Sequence, residues 1–202
     1  VALPVIEPYA LPGEPPRGRV AWNLDPGRAA LLVHDMQNHF LAPFKAGPIP
    51  EVIANIQRLR ERCAALGVPV LYSAQPGAQE PRLRGLLTDF WGPGLGAEPS
   101  AAAIVGPLRP ADPSAVLTKW RYSAFVRTDL DERLRGRDQL VLVGVYAHIG
   151  VLATALDAFM RDIQPFVVAD AVADFSLDHH RGALDYAAQR CAAVVTTAQV
   201  LA

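Results

Sequence analysis

The sequence predicts an α/β fold: a doubly wound, six-stranded parallel sheet with helices on both faces, a Rossmann-like three-layer sandwich. Three observations lead there. Apolar runs alternate along the chain with segments of helical periodicity, the pattern of parallel strands joined by right-handed helical crossovers. The clearest runs, 29–33 and the β-branched and leucine run within 139–145, are almost wholly apolar, as strands covered on both faces are. Several runs then break straight into polar residues, which is where such sheets bind ligands.

The elements follow in order. Residues 4–26 carry Pro4, Pro8, Pro12, Pro15, Pro16 and Pro26, a composition that forbids regular structure. Residues 1–28 are therefore expected to be an extended arm across the domain or a neighbouring subunit, and residues 29–202 a single domain. Strand one is Ala29–His34. Val52, Ile53, Ile56, Leu59, Cys63 and Leu66 then recur at helical intervals over 51–66, and Gly67 ends that helix. Strand two is 68–72, running into Ser73, Ala74 and Gln75, with polar side chains expected to be exposed there. Residues 78–113 lose periodicity around the cluster Asp89, Phe90, Trp91, Gly92, Pro93, Gly94, and a loop that long is more often a functional lid than filler. A surface turn with one aromatic tucked inward is the plainer alternative. Strand three, 115–118, meets Lys119, Trp120, Arg121 and Tyr122. A helix is expected over 126–135, strand four over 139–145, a helix from 151 to about 161, strand five over 166–169, a helix over 177–190 and strand six over 192–196.

Composition narrows the function classes. Of 202 residues, 19 are basic and 20 acidic, a net charge of −1 that gives no electrostatic case for nucleic acid or an anionic membrane surface. Apolar residues make up 51%, enough for one sizeable core, yet no apolar run approaches the ~20 residues a membrane span needs. A cytoplasmic protein is the default. The two cysteines, Cys63 and Cys191, lack metal-ligand spacing and sit in apolar patterns, which suits buried free thiols. Neither GxGxxG nor GxxxxGK[ST] is present, so nucleotide binding has no motif behind it.

Parallel strands deliver their carboxyl ends to one edge, so Asp35, Gln75, Lys119 and the run Tyr146–Gly150 should converge. Asp35 is the first candidate for chemistry; capping the next helix is its simpler role. A carboxylate, an amine and several rings suit a small anionic molecule. His34 ends a buried strand and His148 opens a helix, so both read as structural hydrogen-bonders. His179 and His180 have no third ligand at useful spacing, and neither metal nor cofactor is expected.

The stretches LLVHDMQNHF, YSAQPG, LLTDFWGPG, LTKWRYSAF, GVYAHIGVL and DAVADFS, in this order and spacing, resemble the isochorismatase-like hydrolases over nearly the full chain. That resemblance implies an Asp and Lys pair, here Asp35 and Lys119, and substrate contacts from Gln75, Arg84, Trp91, Tyr122, Tyr146 and the backbone near Gly150. Amidases of the same fold carry a nucleophilic cysteine after strand four, where this chain has Gly150, so the covalent thiol route lacks its nucleophile. The other branch hydrolyses the vinyl ether joining pyruvate to a cyclohexadiene ring, without metal or cofactor. The run from Asp162 to Thr197 is most similar to the freestanding phenazine-pathway branch. It implies cleavage of 2-amino-2-deoxyisochorismate to a 2,3-dihydro-3-hydroxyanthranilate and pyruvate. Isochorismate, with a hydroxyl in place of the amine, is the alternative, and an inactive hydrolase-fold binding partner a further one. The family and the arm imply a homodimer or higher homo-oligomer, the chain's end at Ala202 a freestanding hydrolase, and the fold a cis peptide at Val145–Tyr146.

Such chemistry needs a proton donor, and Asp35 is the candidate. An unperturbed aspartate, with a pKa of about 3.9, is protonated roughly once in a thousand at pH 7, a deficit of about 4 kcal/mol. Burial against Phe90, Trp91, Tyr122 and Tyr146 is expected to raise that value, and Lys119 to oppose it until substrate carboxylates draw off its charge. Arg84 can hold a carboxylate with its planar fork, although a solvated surface arginine is the more common outcome for such a residue. For each ring the ordinary alternative is core packing.

Overall fold

A computed structural model describes residues 3–202. Its sheet is six-stranded, with every pairing parallel and the strand order β3-β2-β1-β4-β5-β6, where β1 is Ala29–His34, β2 Val70–Ala74, β3 Val116–Thr118, β4 Gln139–Val145, β5 Gln164–Ala173 and β6 Ala193–Val195. The chain winds outward from β1 to β3, returns through β4, and winds outward again. The order therefore reverses between β1 and β4, and a crevice opens beyond their carboxyl ends.

Both central strands are buried along their whole length. Alternate residues serve opposite layers: Leu31 and Val33 meet Val52, Ile56 and Leu59 of the helix Ile49–Leu66, while Ala30 and Leu32 belong to the layer with Ala155 of Leu152–Phe159 and Leu184 of Leu177–Arg190. Period-two side chains on a sheet sandwiched by amphipathic helices leave no other arrangement that buries both faces.

Several elements depart from the sequence expectation. The first helix starts earlier, at Ile49, with Pro50 in its first turn, where a missing N–H costs nothing. The second strand starts later, because Val68 still donates to the Cys63 carbonyl at the helix end and Pro69 has no N–H to give. The helix expected over 126–135 shrinks to Leu130–Leu134: Arg127 takes a φ of 60° and the Thr128 hydroxyl turns back onto the Ala124 carbonyl at 2.5 Å. The helix expected from 151 begins with a wide turn, Ala147–Val151, in which Val151 donates to the Tyr146 carbonyl five residues back. A final helix, Thr197–Leu201, was not expected; Thr196 and Gln199 close its capping box.

The segment 78–113 is no featureless loop but a chain of one-turn helices, Pro81–Arg84, Leu87–Trp91 and Pro99–Ala102. It is stitched back to the sheet edge by Gln37, whose amide bonds the Gln75 and Ala102 backbones. Residues 3–28 lack helix and ladder structure but pack on the domain. Ile6 is fully buried and bonded to the chain at Pro43 and Lys45, and Tyr9, Leu11, Trp22 and Leu24 lie on the core. The peptide Val145–Tyr146 is cis. No helix among the described residues is long and apolar enough to cross a membrane.

Candidate active site

Asp35 is the first residue beyond β1. Its φ of 49° turns the chain out of the strand, a left-handed conformation that aspartate tolerates better than most side chains. Its backbone N–H bonds the Ser73 carbonyl on β2. The carboxylate receives three neighbours: Ser73 Oγ donates to Oδ1 at 2.6 Å, Lys119 Nζ stands 2.9 Å from Oδ2, and Gln75 Nε2 reaches Oδ2 at 3.4 Å. Lys119 follows β3 directly, its N–H still bonded to the Ala74 carbonyl, so its side chain reaches across the end of β2 to Asp35. The helix-capping role for Asp35 is overturned: the next helix, Asn38–Leu41, has Gln37 at its cap and no side-chain cap bond.

Lys119 is 1% exposed and Asp35 4%. Taking two opposite charges out of water costs more than their attraction reliably returns, so a pair of this kind points to function rather than stability. Burial pushes the Asp35 carboxyl up, but the Lys119 ammonium and the Ser73 hydrogen bond outweigh it and hold the group below the ordinary carboxylate range. Burial and Lys119 thus act in the two opposed directions expected from the sequence, and the lowering side prevails. His34, whose Nδ1 lies 3.7 Å from Oδ2, is pulled down to about 4 by burial, so at neutral pH the approach is not an ion pair.

Asp35 and Lys119 open on a cavity of about 610 Å³, whose walls also include Gln75, Arg84, Trp91, Tyr122, Tyr146 and Gly150, every side chain or backbone position the sequence nominated. Arg84 is buried, against the surface alternative, with Nε donating to the Gly92 carbonyl at 2.6 Å while Nη1 has no partner. Gly94, at φ 79°, is where the chain passes over that guanidinium: a Cβ there would overlap it. Trp91 Nε1 donates to the Tyr122 hydroxyl at 2.6 Å, and the Tyr146 hydroxyl donates to the Phe40 carbonyl at 2.6 Å. Phe90 departs from expectation: it is 68% exposed and contributes nothing to the wall, where Phe40 is the phenylalanine present. Phe175 packs its ring 4.5 Å from that of Tyr146 without lining the cavity.

Gly150 lies in the wide turn after β4. A Cβ there would run into the ring of His34, whose Nε2 and Nδ1 would stand at 3.0 and 3.1 Å from it. That ring is fixed by a 3.0 Å bond between Nδ1 and the Val145 carbonyl, which makes Nδ1 the protonated nitrogen. Cys63 and Cys191 are buried away from the cavity, burial pushing both thiols up to about 11. Among the described residues no cluster of three or more His, Cys, Asp or Glu side chains is placed to hold a metal ion.

Sequence reasoning missed three contributors. Ser73, expected exposed, is fully buried and is the donor nearest Asp35; its signal was its place at the end of the strand beside β1. His39 lines the cavity, as do Leu3, Pro4 and Val5 of the arm. Nothing in the sequence pattern of an extended arm says where it lies.

Comparison with known proteins adds three findings. Residues 29–199 match the Isochorismatase domain family. The chain is 55% identical to an isochorismatase of Bacillus subtilis (strain 168), over 100% of this chain and 66% of that protein, and 53% identical to phenazine biosynthesis protein PhzD of Pseudomonas fluorescens, over 98% of both. This chain thus spans just under two thirds of the length of the Bacillus protein. Among solved structures, a cysteine hydrolase from Pseudomonas syringae pv. phaseolicola superposes with a TM-score of 0.82 at 25% identity, over 92% of this chain and 95% of that one.

Proposed function

The chain belongs to the isochorismatase family, and from that premise we propose that it hydrolyses the vinyl ether of 2-amino-2-deoxyisochorismate, releasing pyruvate and trans-2,3-dihydro-3-hydroxyanthranilate. The observation that carries this reading is the composition of the cavity. An isolated carboxylate is paired with one buried cation, a second buried cation has an unpartnered N–H, and a glycine stands where a covalent nucleophile would be needed.

The chemistry asks for a donor to carbon. Asp35, once protonated, gives its proton to the enolpyruvyl methylene carbon, making it a methyl group and leaving an oxocarbenium ion on the ether side. Water adds to that cation and returns a proton to Asp35. The hemiketal then collapses, its hydroxyl becoming the ketone of pyruvate and the ring oxygen leaving as the alcohol. No electrons are exchanged and no cofactor is needed. Lys119 and Arg84 hold the substrate's two carboxylates, the planar Arg84 fork suiting one of them. The rings of Trp91, Tyr122 and Tyr146 supply a dry wall that strengthens these interactions.

Isochorismate is the second reading, favoured by the 55% identity with the Bacillus isochorismatase. Pyruvate release from both compounds, measured side by side, separates the two. Asp35→Asn keeps the size of the side chain and removes the donor, and should lower kcat by roughly 10²–10⁴-fold, the usual worth of general acid catalysis. Absence of pyruvate from either compound with the wild type, or near wild-type turnover by Asp35→Asn, sinks the proposal.

A further inference from the structure

The polar groups facing the cavity divide into those already bonded within the protein and those that are not. Asp35 is engaged by Ser73, Lys119 and Gln75, the Tyr146 hydroxyl by Phe40, and the Tyr122 oxygen by Trp91. Arg84 Nη1 is left without a partner. So is the imidazole of His39: it lines the same cavity, half-buried, and neither ring nitrogen bonds any described residue.

The ring is positioned by packing alone. His39 lies in the single turn Asn38–Leu41, four residues beyond Asp35, and meets the edge of Phe40 at 5.1 Å between centres. It shares the cavity lining with Arg84, and burial first, then the Arg84 charge, disfavour a proton on the imidazole. Two donor-bearing groups beside one cavity, one a cation short of a partner and the other a ring discouraged from charging by it, are both relieved by one anion set between them.

We propose that His39 completes the carboxylate subsite of Arg84, donating an imidazole N–H to the substrate carboxylate that the Arg84 guanidinium holds. This rests on the functional reading above, and it assigns a specificity-determining contact to a side chain outside the Asp35, Lys119 and Gln75 constellation. The neutral imidazole already has one N–H to give, so the contact forms without proton uptake.

The test is steady-state pyruvate release by three variants. His39→Phe keeps a ring against Phe40 and removes both nitrogens; it should raise KM about tenfold, the worth of a hydrogen bond to a charged group, with kcat changed less than about twofold. His39→Gln restores an N–H and should bring KM back to within about threefold of wild type. His39→Ala serves if the phenylalanine ring does not fit, with the same rise in KM expected. Combined with Arg84→Lys, the His39→Phe effect should shrink, because both residues act on one carboxylate. A wild type that releases pyruvate while His39→Phe and His39→Ala leave KM unchanged overturns this inference alone. Equal rises in His39→Phe and His39→Gln also overturn it, since packing and not the N–H would then be at work. A wild type that releases no pyruvate overturns the functional reading and this inference together.

Discussion

Adding a single methyl group at position 150 tests the steric logic of the site. In Gly150→Ala the new Cβ points at the His34 ring, with Cε1 the nearest atom and both nitrogens about as close as a side-chain carbon ever comes. The ring has nowhere to retreat. It is fully buried, Nδ1 is bonded to the Val145 carbonyl, and Nε2 faces Thr154 Oγ1 at 3.3 Å, whose proton is already given to the Gly150 carbonyl at 2.7 Å. Forcing a methyl into such a space costs about 1–3 kcal/mol, and freeing the Val145 carbonyl in the interior adds about 1–3 kcal/mol. Together they amount to about 2–6 kcal/mol, which for a domain of this size lowers Tm by roughly 4–24 °C. Calorimetric melting of wild type, Gly150→Ala, His34→Ala and the double variant reads the effect as a cycle. The methyl at 150 should cost at least about 1 kcal/mol less once the ring is gone. A Gly150→Ala protein that melts within a degree of wild type, or strictly additive single effects, would refute the clash. The same ring stands in the way of any larger side chain at 150, a cysteine included.

Three other outcomes follow from the site. His34 has a folded pKa of about 4 against 6.5 unfolded, so between those values the unfolded chain binds the extra proton; stability falls as pH falls from 6.5 to 4, by about 3 kcal/mol, and urea unfolding at pH 7 and 4.5 should show His34→Asn losing less than wild type. Equal losses would contradict a buried neutral imidazole. Arg84→Lys gives up the fork and the Gly92 bond, and should raise KM roughly 10–100-fold, read from initial rates; an unchanged KM would remove Arg84 from carboxylate binding. Ile6→Ala loosens the point where the arm is bonded to the chain at Pro43 and Lys45; it should cost about 2–5 kcal/mol and raise KM, because Leu3, Pro4 and Val5 form part of the cavity wall, whereas lost stability with an intact KM would detach the arm from substrate binding.

What the sequence made legible was whatever local pattern decides. Ala29–His34 and Gln139–Val145 are bounded as read because a continuous apolar run has only one place in an α/β sandwich, and Leu177–Arg190 because Ser176 caps it by accepting from the His179 N–H. The TTAQ capping box of the last helix was also there to be read. Tertiary partners decide the rest. Strand β5 runs on to Ala173 past Asp170, whose carboxylate is occupied by Thr197 and whose carbonyl by Asn55, residues far away in the chain. Phe90 and Trp91 are adjacent aromatics on one short helix, and nothing local says which of them turns inward. The balance at Asp35 depends on the 2.9 Å approach of Lys119, a distance that no spacing in the sequence encodes.

That balance bears on how a depressed carboxyl could serve as an acid at all. For an Asp35 held below the usual carboxylate range, the protonated form is a minority at every neutral pH, so kcat/KM should fall as pH rises through 6 to 8; a flat profile would exclude Asp35 as the donor. A low value also makes the rare acid form a stronger donor, and the return of the proton to water easier. In the proposed reaction, when the proton passes to carbon the Asp35 anion reappears 2.9 Å from Lys119, in the pairing already present in the structure, while the substrate becomes cationic nearby. The interaction that disfavours loading the acid is thus recovered as the oxocarbenium ion forms, which is where stabilisation accelerates the step. Substrate carboxylates supply the missing half by adding negative charge beside Asp35, which favours its protonated form only while substrate is bound. In the proposed mechanism the lysine is therefore no obstacle to a general acid but the group that confines proton transfer to the occupied site.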